Sequence, residues 1–202
     1  MKTGIAASPG IAIGPAWVMQ ETELHIPTDE VTNPEQEIAR LKEALKQAKQ
    51  QIESLRERAE TEMGADKAAI FEAHLMVLDD PELIDHIERK INDERLNAPK
   101  AVHVVIDQFV SMFEQMDMEY MRERAADIRD VGSRLLHILL GVEPRSLAEI
   151  NVPSVVVAHD LTPSDTAQMD KEKVLGFMTN IGGRTSHSAI MARSLEIPAV
   201  VG

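Results

Sequence analysis

The 202-residue sequence contains no cysteine, which excludes disulfide bonds, thiolate nucleophiles and cysteine-ligated metal sites. Aromatic residues make up only 3% of the chain, so stacking platforms for bases or sugars are not expected. No apolar run is long enough to span a membrane, and the Gly- and Pro-rich start differs from the apolar core of a signal peptide. We therefore expect a cytoplasmic protein that does not associate with membranes.

Basic residues are also scarce relative to acidic ones. The chain has 21 Lys and Arg against 34 Asp and Glu, and its net charge is −13. Such a surface repels a phosphate backbone, so nucleic-acid binding is not expected. The same charge favours solubility and can steer a basic protein partner towards the surface.

The apolar residues that are present follow a helical pattern from Asn33 onwards. Asn33 is suited to cap a helix, Pro34 to its first position and Gln36 to its third, as in a capping box. The next apolar residues have spacings of three and four, which predicts one long helix ending at Gly64: Ile38, Leu41, Leu45, Ala48, Ile52, Leu55 and Ala59.

Further helical patterns follow with short connections. They lie at about residues 66–78, from Pro81 through Ile91, at about 98–116 and at about 118–140. Gly141 ends the last of them. Residues 33–141 therefore predict a helical bundle.

Both ends of the chain have the sequence pattern of short strands separated by turns. The predicted strands are Gly4–Ala7, Ile11–Ile13, Ala16–Met19, Val155–Val157, Val174–Met178 and Pro198–Val201. Helical starts alternate with the later strands, which is typical of an α/β fold. The simplest arrangement is one α/β domain built from residues 1–20 and 144–202, with the all-α bundle inserted between them. Because the chain ends in an apolar strand without a closing turn, we expect a truncated fragment.

One segment has the residues needed for phosphoryl chemistry. Gly182 and Gly183 allow a close turn, and Thr185 or Ser186 can cap the helix that follows. The N-terminal end of that helix presents free N–H groups and a positive dipole end to an anion. His187 lies in its first turn, where a neutral imidazole can accept a phosphoryl group.

Other interpretations of this segment remain open. A histidine near a helix start is often a surface or capping residue, and glycine pairs also occur in turns that bind no phosphate. A Ser186–His187 hydrolase pair is disfavoured because adjacent helical residues do not face each other and no acid partner is placed. The run matches neither a Walker loop nor a dinucleotide fingerprint. The seven histidines form no HxxxH or HxH pair, so no metal site is expected.

The segment GGRTSHSAIMARSLEIPAVVG closely resembles the phosphohistidine signature of enzyme I of the bacterial phosphoenolpyruvate-dependent sugar phosphotransferase system. Four further segments resemble that family, and they occur in the same order along the chain: GIAASPGIAIGPA, AIFEAHLMVLDDPEL, EYMRERAADIRDVGSRLL and AHDLTPSDTAQMD. Pyruvate phosphate dikinase and phosphoenolpyruvate synthase have a related histidine motif, but they do not share the helical insert.

The resemblance implies a phosphoenolpyruvate–protein phosphotransferase in which His187 takes a phosphoryl group from phosphoenolpyruvate and passes it to a histidine of the carrier protein HPr. It implies that residues 182–186, namely Gly182, Gly183, Arg184, Thr185 and Ser186, support the phosphate. It also implies that the Thr166 hydroxyl meets the active histidine; the alternative is a helical threonine bonded to its own backbone.

In the family, a C-terminal barrel domain binds phosphoenolpyruvate and Mg²⁺ and forms the dimer. That domain has no counterpart in this sequence. We therefore expect the fragment to be monomeric and to hold no cofactor or metal, whereas Mg²⁺ and a homodimer are expected of the full-length enzyme.

The resemblance also maps HPr contacts onto the helical domain, at Asp66, His74, Met76, Val77, Glu82, Leu83, Met121 and Arg124. Without it, Met76 and Leu83 are equally well interpreted as core residues, and His74 as a helical histidine with satisfied hydrogen bonds. Ala65 and Pro81 stand where related sequences carry acidic residues.

Two classes of function are thus distinguished. The first is a phosphoryl-transfer fragment with a covalently modified His187. The second is a docking module in which the acidic bundle binds a partner and His187 is structural. Acid-labile, base-stable phosphate on His187 separates the two, because a phosphoramidate hydrolyses in acid.

Overall fold

The computed structural model describes residues 3–20 and 22–202. The chain divides into two compact units. The α/β unit consists of Met1–Thr22, Arg58–Ala68 and Arg145–Gly202, and the helical unit consists of Glu23–Glu57 and Ala69–Pro144. An α/β unit built from both chain ends, with a helical unit between them, confirms the predicted fold class.

Five helices cover the middle of the chain in the described residues. They are α1 (Pro34–Met63), α2 (Ala65–Leu78), α3 (Pro81–Asp93), α4 (Ala98–Glu114) and α5 (Glu119–Leu140). Asp80 and Asn97 cap α3 and α4 through their side chains, which satisfies backbone amides of the first turn. Gly64 and Gly141, with φ of +89° and +64°, follow the last residues of α1 and α5. The predicted helices are confirmed to within about two residues at each end.

The core of the helical unit is mostly aliphatic, as expected from the scarcity of aromatic residues. Its largest fully buried side chains include Leu41, Ile52, Phe71, Leu78, Ile87, Ile91, Val102 and Leu135. Leu41 and Ile52 belong to the seam predicted for the first helix. The spacing of apolar residues therefore predicted the buried side of α1 correctly.

The α/β unit is built on a five-stranded sheet. Its strands are β1 (Ile5–Ser8), β2 (Ala16–Val18), β3 (Ser154–Ala158), β4 (Val174–Thr179) and β5 (Ala199–Val201), in the order β1-β5-β4-β3-β2. The pair β1 and β5 is antiparallel, and the other pairs are parallel. Helix α6 (Pro163–Thr166) lies between β3 and β4, and α7 (His187–Leu195) lies between β4 and β5. The parallel strands therefore direct their carboxyl ends to one edge of the sheet.

The predicted strand at Ile11–Ile13 is wrong. Strands β1 and β2 lie at opposite edges of the sheet, so the segment that joins them has to cross it. Ala12 lies over β4, where a Cβ added to Gly176 would be 2.7 Å from the Ala12 Cβ. Ile11 and Ile13 are 89% and 87% exposed. An apolar run was mistaken for a strand because the sequence does not show where the neighbouring strands pair.

Candidate functional site

The loops that follow β3 and β4 meet at the carboxyl edge of the sheet. The amides of Asn180 and Ile181 both donate to the carbonyl oxygen of His159, at 3.0 and 3.1 Å. This carbonyl therefore holds the start of the loop 180–186 against the end of β3. In open α/β sheets, ligands bind outside the carboxyl ends of parallel strands, which makes this edge the candidate site.

Ser186 is the cap of α7. Its hydroxyl donates to the carbonyl oxygen of Gly183 at 2.9 Å and lies 3.3 Å from the amide of Ala189, from which it accepts. The sequence allowed either Thr185 or Ser186 in this position, and the structure selects Ser186. Because its hydroxyl is engaged with the backbone, Ser186 shapes the loop and orients the first turn of the helix.

The two glycines of the loop differ in what they require. Gly182 has φ of +119°, and a Cβ added there would lie 3.2 Å from Ser186 Oγ and 3.3 Å from Val201 Cβ. Gly183 has no atom within 4 Å of an added Cβ. The backbone conformation at Gly182 favours glycine, whereas Gly183 faces open space.

His187 is the first residue of α7 and is half-buried. No hydrogen bond or ion pair joins its ring to any of the residues that the structure describes. The ring therefore has both nitrogens free for an incoming group. The helix that begins here carries a partial positive charge at this end, which stabilises an anion by about 0.3–1 kcal/mol.

Thr166 is fully buried at the end of α6, a helix that packs against α7. Its Oγ1 lies 3.1 Å from the carbonyl oxygen of Thr162 and 3.0 Å from that of Pro163. The hydroxyl therefore donates to its own helix, as in the structural alternative. A hydroxyl that donates in this way keeps its lone pairs available to accept a further hydrogen bond.

The two arginines near the site have different surroundings. Arg184 is exposed in the loop before the cap. Arg193 lies six residues beyond His187, about 9 Å along the helix axis. Its guanidinium donates to the carbonyl oxygen of Ala7 at 2.9 Å, which ties α7 to β1. Arg184 is thus the arginine whose position suits contact with a bound anion.

The predicted docking residues of the helical unit fall into exposed and buried groups. Met76 is 66% exposed and Glu82 is also exposed. Val77, Met121 and Arg124 are partly exposed. These residues can meet a partner directly. Asp66, which belongs to the α/β unit, is exposed as well.

Leu83 and His74 are placed differently. Leu83 is 2% exposed, so the core interpretation of this residue matches the structure. His74 is fully buried and faces α5, where Nε2 lies 3.4 Å from Oδ1 of Asp127 and Nδ1 lies 3.9 Å from Oδ2 of Asp130. Sequence reasoning missed both aspartates. Their spacing of three in the helical run AADIRD, on a helix with a buried face, was the available signal.

The described residues contain no group of three or more His, Asp or Glu side chains placed to hold a metal ion. Among the same residues, no helix is long and apolar enough to cross a membrane.

Two family models match most of the chain. A family model described as PEP-utilising enzyme, N-terminal, matches residues 3–124, and one described as PEP-utilising enzyme, mobile domain, matches residues 150–202. The chain belongs to the PEP-utilising enzymes. The second match contains the loop 180–186 and His187, so this candidate site lies in the mobile domain of the family.

Curated relatives and solved structures agree with this assignment. The phosphoenolpyruvate-protein phosphotransferases of Staphylococcus carnosus and Priestia megaterium are 55% and 57% identical over 199 residues, which cover 98% of this chain and 35% of each relative. The chain thus spans about a third of their length. The solution structure of an Enzyme I protein has a TM-score of 0.82 at 51% identity and covers all of this chain and 82% of its own. The N-terminal domain of Enzyme 1 - Nitrogen has a TM-score of 0.67 at 28% identity, covering 98% and 82%.

Proposed function

We propose that this chain is the part of a phosphoenolpyruvate–protein phosphotransferase that carries the phosphoryl group, on His187. The observation that supports this most directly is the half-buried ring at the first turn of α7, which lacks any hydrogen-bond partner among the described residues. A histidine that served as a cap would be bonded to backbone groups of the helix. Here the capping role is filled by Ser186.

The transfer is an exchange of the phosphoryl group between two histidines. A neutral ring nitrogen of His187 attacks the phosphorus of phosphorylated HPr, the bond from phosphorus to the HPr nitrogen breaks, and the HPr ring regains its lone pair. A bond of the same kind forms and breaks, so the step runs in either direction. In the longer protein, phosphoenolpyruvate supplies the group through a region outside this chain.

The loop and helix contribute to binding the phosphoryl group. The positive end of α7 stabilises the dianion, and the exposed Arg184 adds a cation on the same loop. During transfer, the Thr166 hydroxyl, held by the backbone of α6, would orient the His187 ring by accepting a hydrogen bond from it; among the described residues, this hydroxyl bonds only to its own helix. Each of these roles is filled by a group of this chain.

Docking of HPr is assigned to the helical unit. Its exposed side includes a large apolar side chain, Met76, with the acidic Glu82 nearby in sequence. A central apolar contact with a charged rim is the usual composition of a transient protein interface. The net charge of −13 favours a basic partner surface.

The test is incubation of the chain with phosphorylated HPr, followed by intact-mass analysis and acid and base treatment. We expect one acid-labile, base-stable phosphoryl group on the wild-type chain. His187→Ala should accept none and remain folded, since a half-buried first-turn histidine without a hydrogen-bond partner among the described residues contributes little to stability. His159→Ala, which removes an exposed imidazole on the neighbouring loop, is the matched control and should be labelled normally. Labelling of His187→Ala would refute the assignment and favour the docking-module alternative.

A further inference from the structure

Helix α2 directs an imidazole into the interior of the helical unit. Phe71, His74 and Leu78 form its buried stripe, and each of these side chains is fully buried. An apolar residue is the usual occupant of such a stripe, whereas a buried polar side chain needs a partner. The ring of Phe71 packs edge-on against that of His74, with 5.6 Å between centroids. His74 is therefore a core residue with polar atoms to satisfy.

The facing groups are carboxylates of α5. Asp127 and Asp130 lie on one side of that helix, and both are buried. Each ring nitrogen of His74 faces one of them, Nε2 at 3.4 Å from Asp127 and Nδ1 at 3.9 Å from Asp130. Neither ring nitrogen of His74, nor Oδ1 of Asp127, makes a hydrogen bond to any described residue, so the two contacts are of ion-pair range only.

This arrangement does not suit a metal ion, because the two ring nitrogens face away from each other and the three groups do not converge on one point. It suits a link between helices. A neutral ring can donate to one carboxylate and a doubly protonated ring to both. At the observed distances both carboxylates lie within ion-pair range of the ring, which places His74 between α2 and α5.

We propose that His74 is a positioning residue for partner docking. Its contact with Asp127 and Asp130 holds α2 against α5 and so sets the spacing between Met76 on α2 and Met121 on α5. Met76 follows His74 by two residues and therefore points to the opposite side of α2, where it is 66% exposed. This inference rests on the proposed function, because the spacing of Met76 and Met121 matters for docking only if the helical unit binds HPr.

The test uses substitutions of similar size at position 74. His74→Leu removes the donor, and we expect it to raise the Kd for HPr about tenfold, equivalent to about 1.4 kcal/mol. His74→Gln keeps an N–H donor in reach of Asp127 and should largely restore binding. His103→Leu alters a partly exposed histidine that lies near Asp107 on α4, and it should leave the Kd unchanged.

A second substitution separates positioning from direct contact. Asp127 is buried and cannot touch the partner itself. If the link between the helices matters for docking, Asp127→Leu should raise the Kd for HPr as much as His74→Leu does. The double variant should bind no more weakly than either single variant, because the two changes remove one interaction. In phosphoryl transfer to HPr, KM should rise while kcat is unchanged. A partly unfolded sample would instead lower the binding stoichiometry.

Normal binding by Asp127→Leu together with weak binding by His74→Leu would overturn the proposal, since His74 would then touch the partner itself. Normal binding by both would overturn it as well. If the wild-type chain fails to bind HPr, the proposed docking function fails, and hydrogen exchange then tests the link alone. His74→Leu should speed exchange of the amides at 71–78 and 127–131, and unchanged exchange there would exclude the link.

Discussion

The carboxylate of Glu37, in the first turn of α1, accepts a hydrogen bond of 2.7 Å from the backbone amide of Ala98, at the start of α4. The same carboxylate is paired with Arg40 at 2.8 Å, and Arg40 also donates to the carbonyl oxygen of Leu139 near the end of α5 at 3.1 Å. A buried side chain from one helix thus satisfies an amide at the start of a second, and its neighbour satisfies a carbonyl at the end of a third.

Replacing Glu37 should therefore destabilise the helical unit. Glu37→Ala leaves a buried amide without an acceptor, and we expect a loss of about 1.5–3 kcal/mol in the free energy of unfolding. Glu35→Ala, at an exposed position in the same turn, is the control and should change stability by less than about 0.5 kcal/mol. Urea denaturation followed by circular dichroism measures both, and equal effects would show that the buried bond contributes nothing specific.

The loop before α7 offers a comparison between adjacent glycines. Gly182→Ala forces a side chain into a backbone with φ of +119° and should cost about 1–3 kcal/mol, with slower phosphoryl acceptance because the loop shifts. Gly183→Ala meets no atom within 4 Å and should be nearly neutral in stability. Thermal unfolding and the labelling rate with phosphorylated HPr check both variants. Similar losses at the two positions would contradict this account of the loop.

Substitutions at Thr166 test whether its hydroxyl has a role beyond its own helix. Thr166→Val keeps the shape and removes the hydroxyl, and we expect phosphoryl acceptance to slow by about tenfold or more while some activity remains. Thr166→Ser keeps the hydroxyl and should be close to wild type. Rapid-quench measurement of His187 labelling gives the rates. A Val variant as fast as the Ser variant would leave Thr166 with the backbone role alone.

The chain should not be charged by phosphoenolpyruvate directly. Neutralising and aligning that anionic donor needs several cations, and here Arg193 is engaged with Ala7 while Arg184 is exposed on the loop. We expect no phosphorylation with phosphoenolpyruvate and Mg²⁺ alone, and full labelling once catalytic amounts of full-length enzyme and HPr are added. Labelling in the first reaction would place the donor site within this chain.

Local sequence determined where elements begin and end. Asn33 and Gly141 were recognisable because caps and left-handed glycines act on backbone groups within a few residues along the chain. The loop with Gly182 and the helix that starts at His187 were recognisable for the same reason. The glycines, the cap and the histidine of this site are neighbours in the sequence, so their arrangement could be predicted without the fold.

The tertiary structure decided which side chains are buried and what they face. Met76 and Leu83 were equivalent as candidates for core or surface, yet one is exposed and the other buried, because burial depends on the helices packed around each. His74 faces the carboxylate of Asp127, which is more than 50 residues away in the sequence. Glu37 accepts from the amide of Ala98, which lies 61 residues further along the chain. Such pairings depend on how helices pack, and no local pattern records that packing.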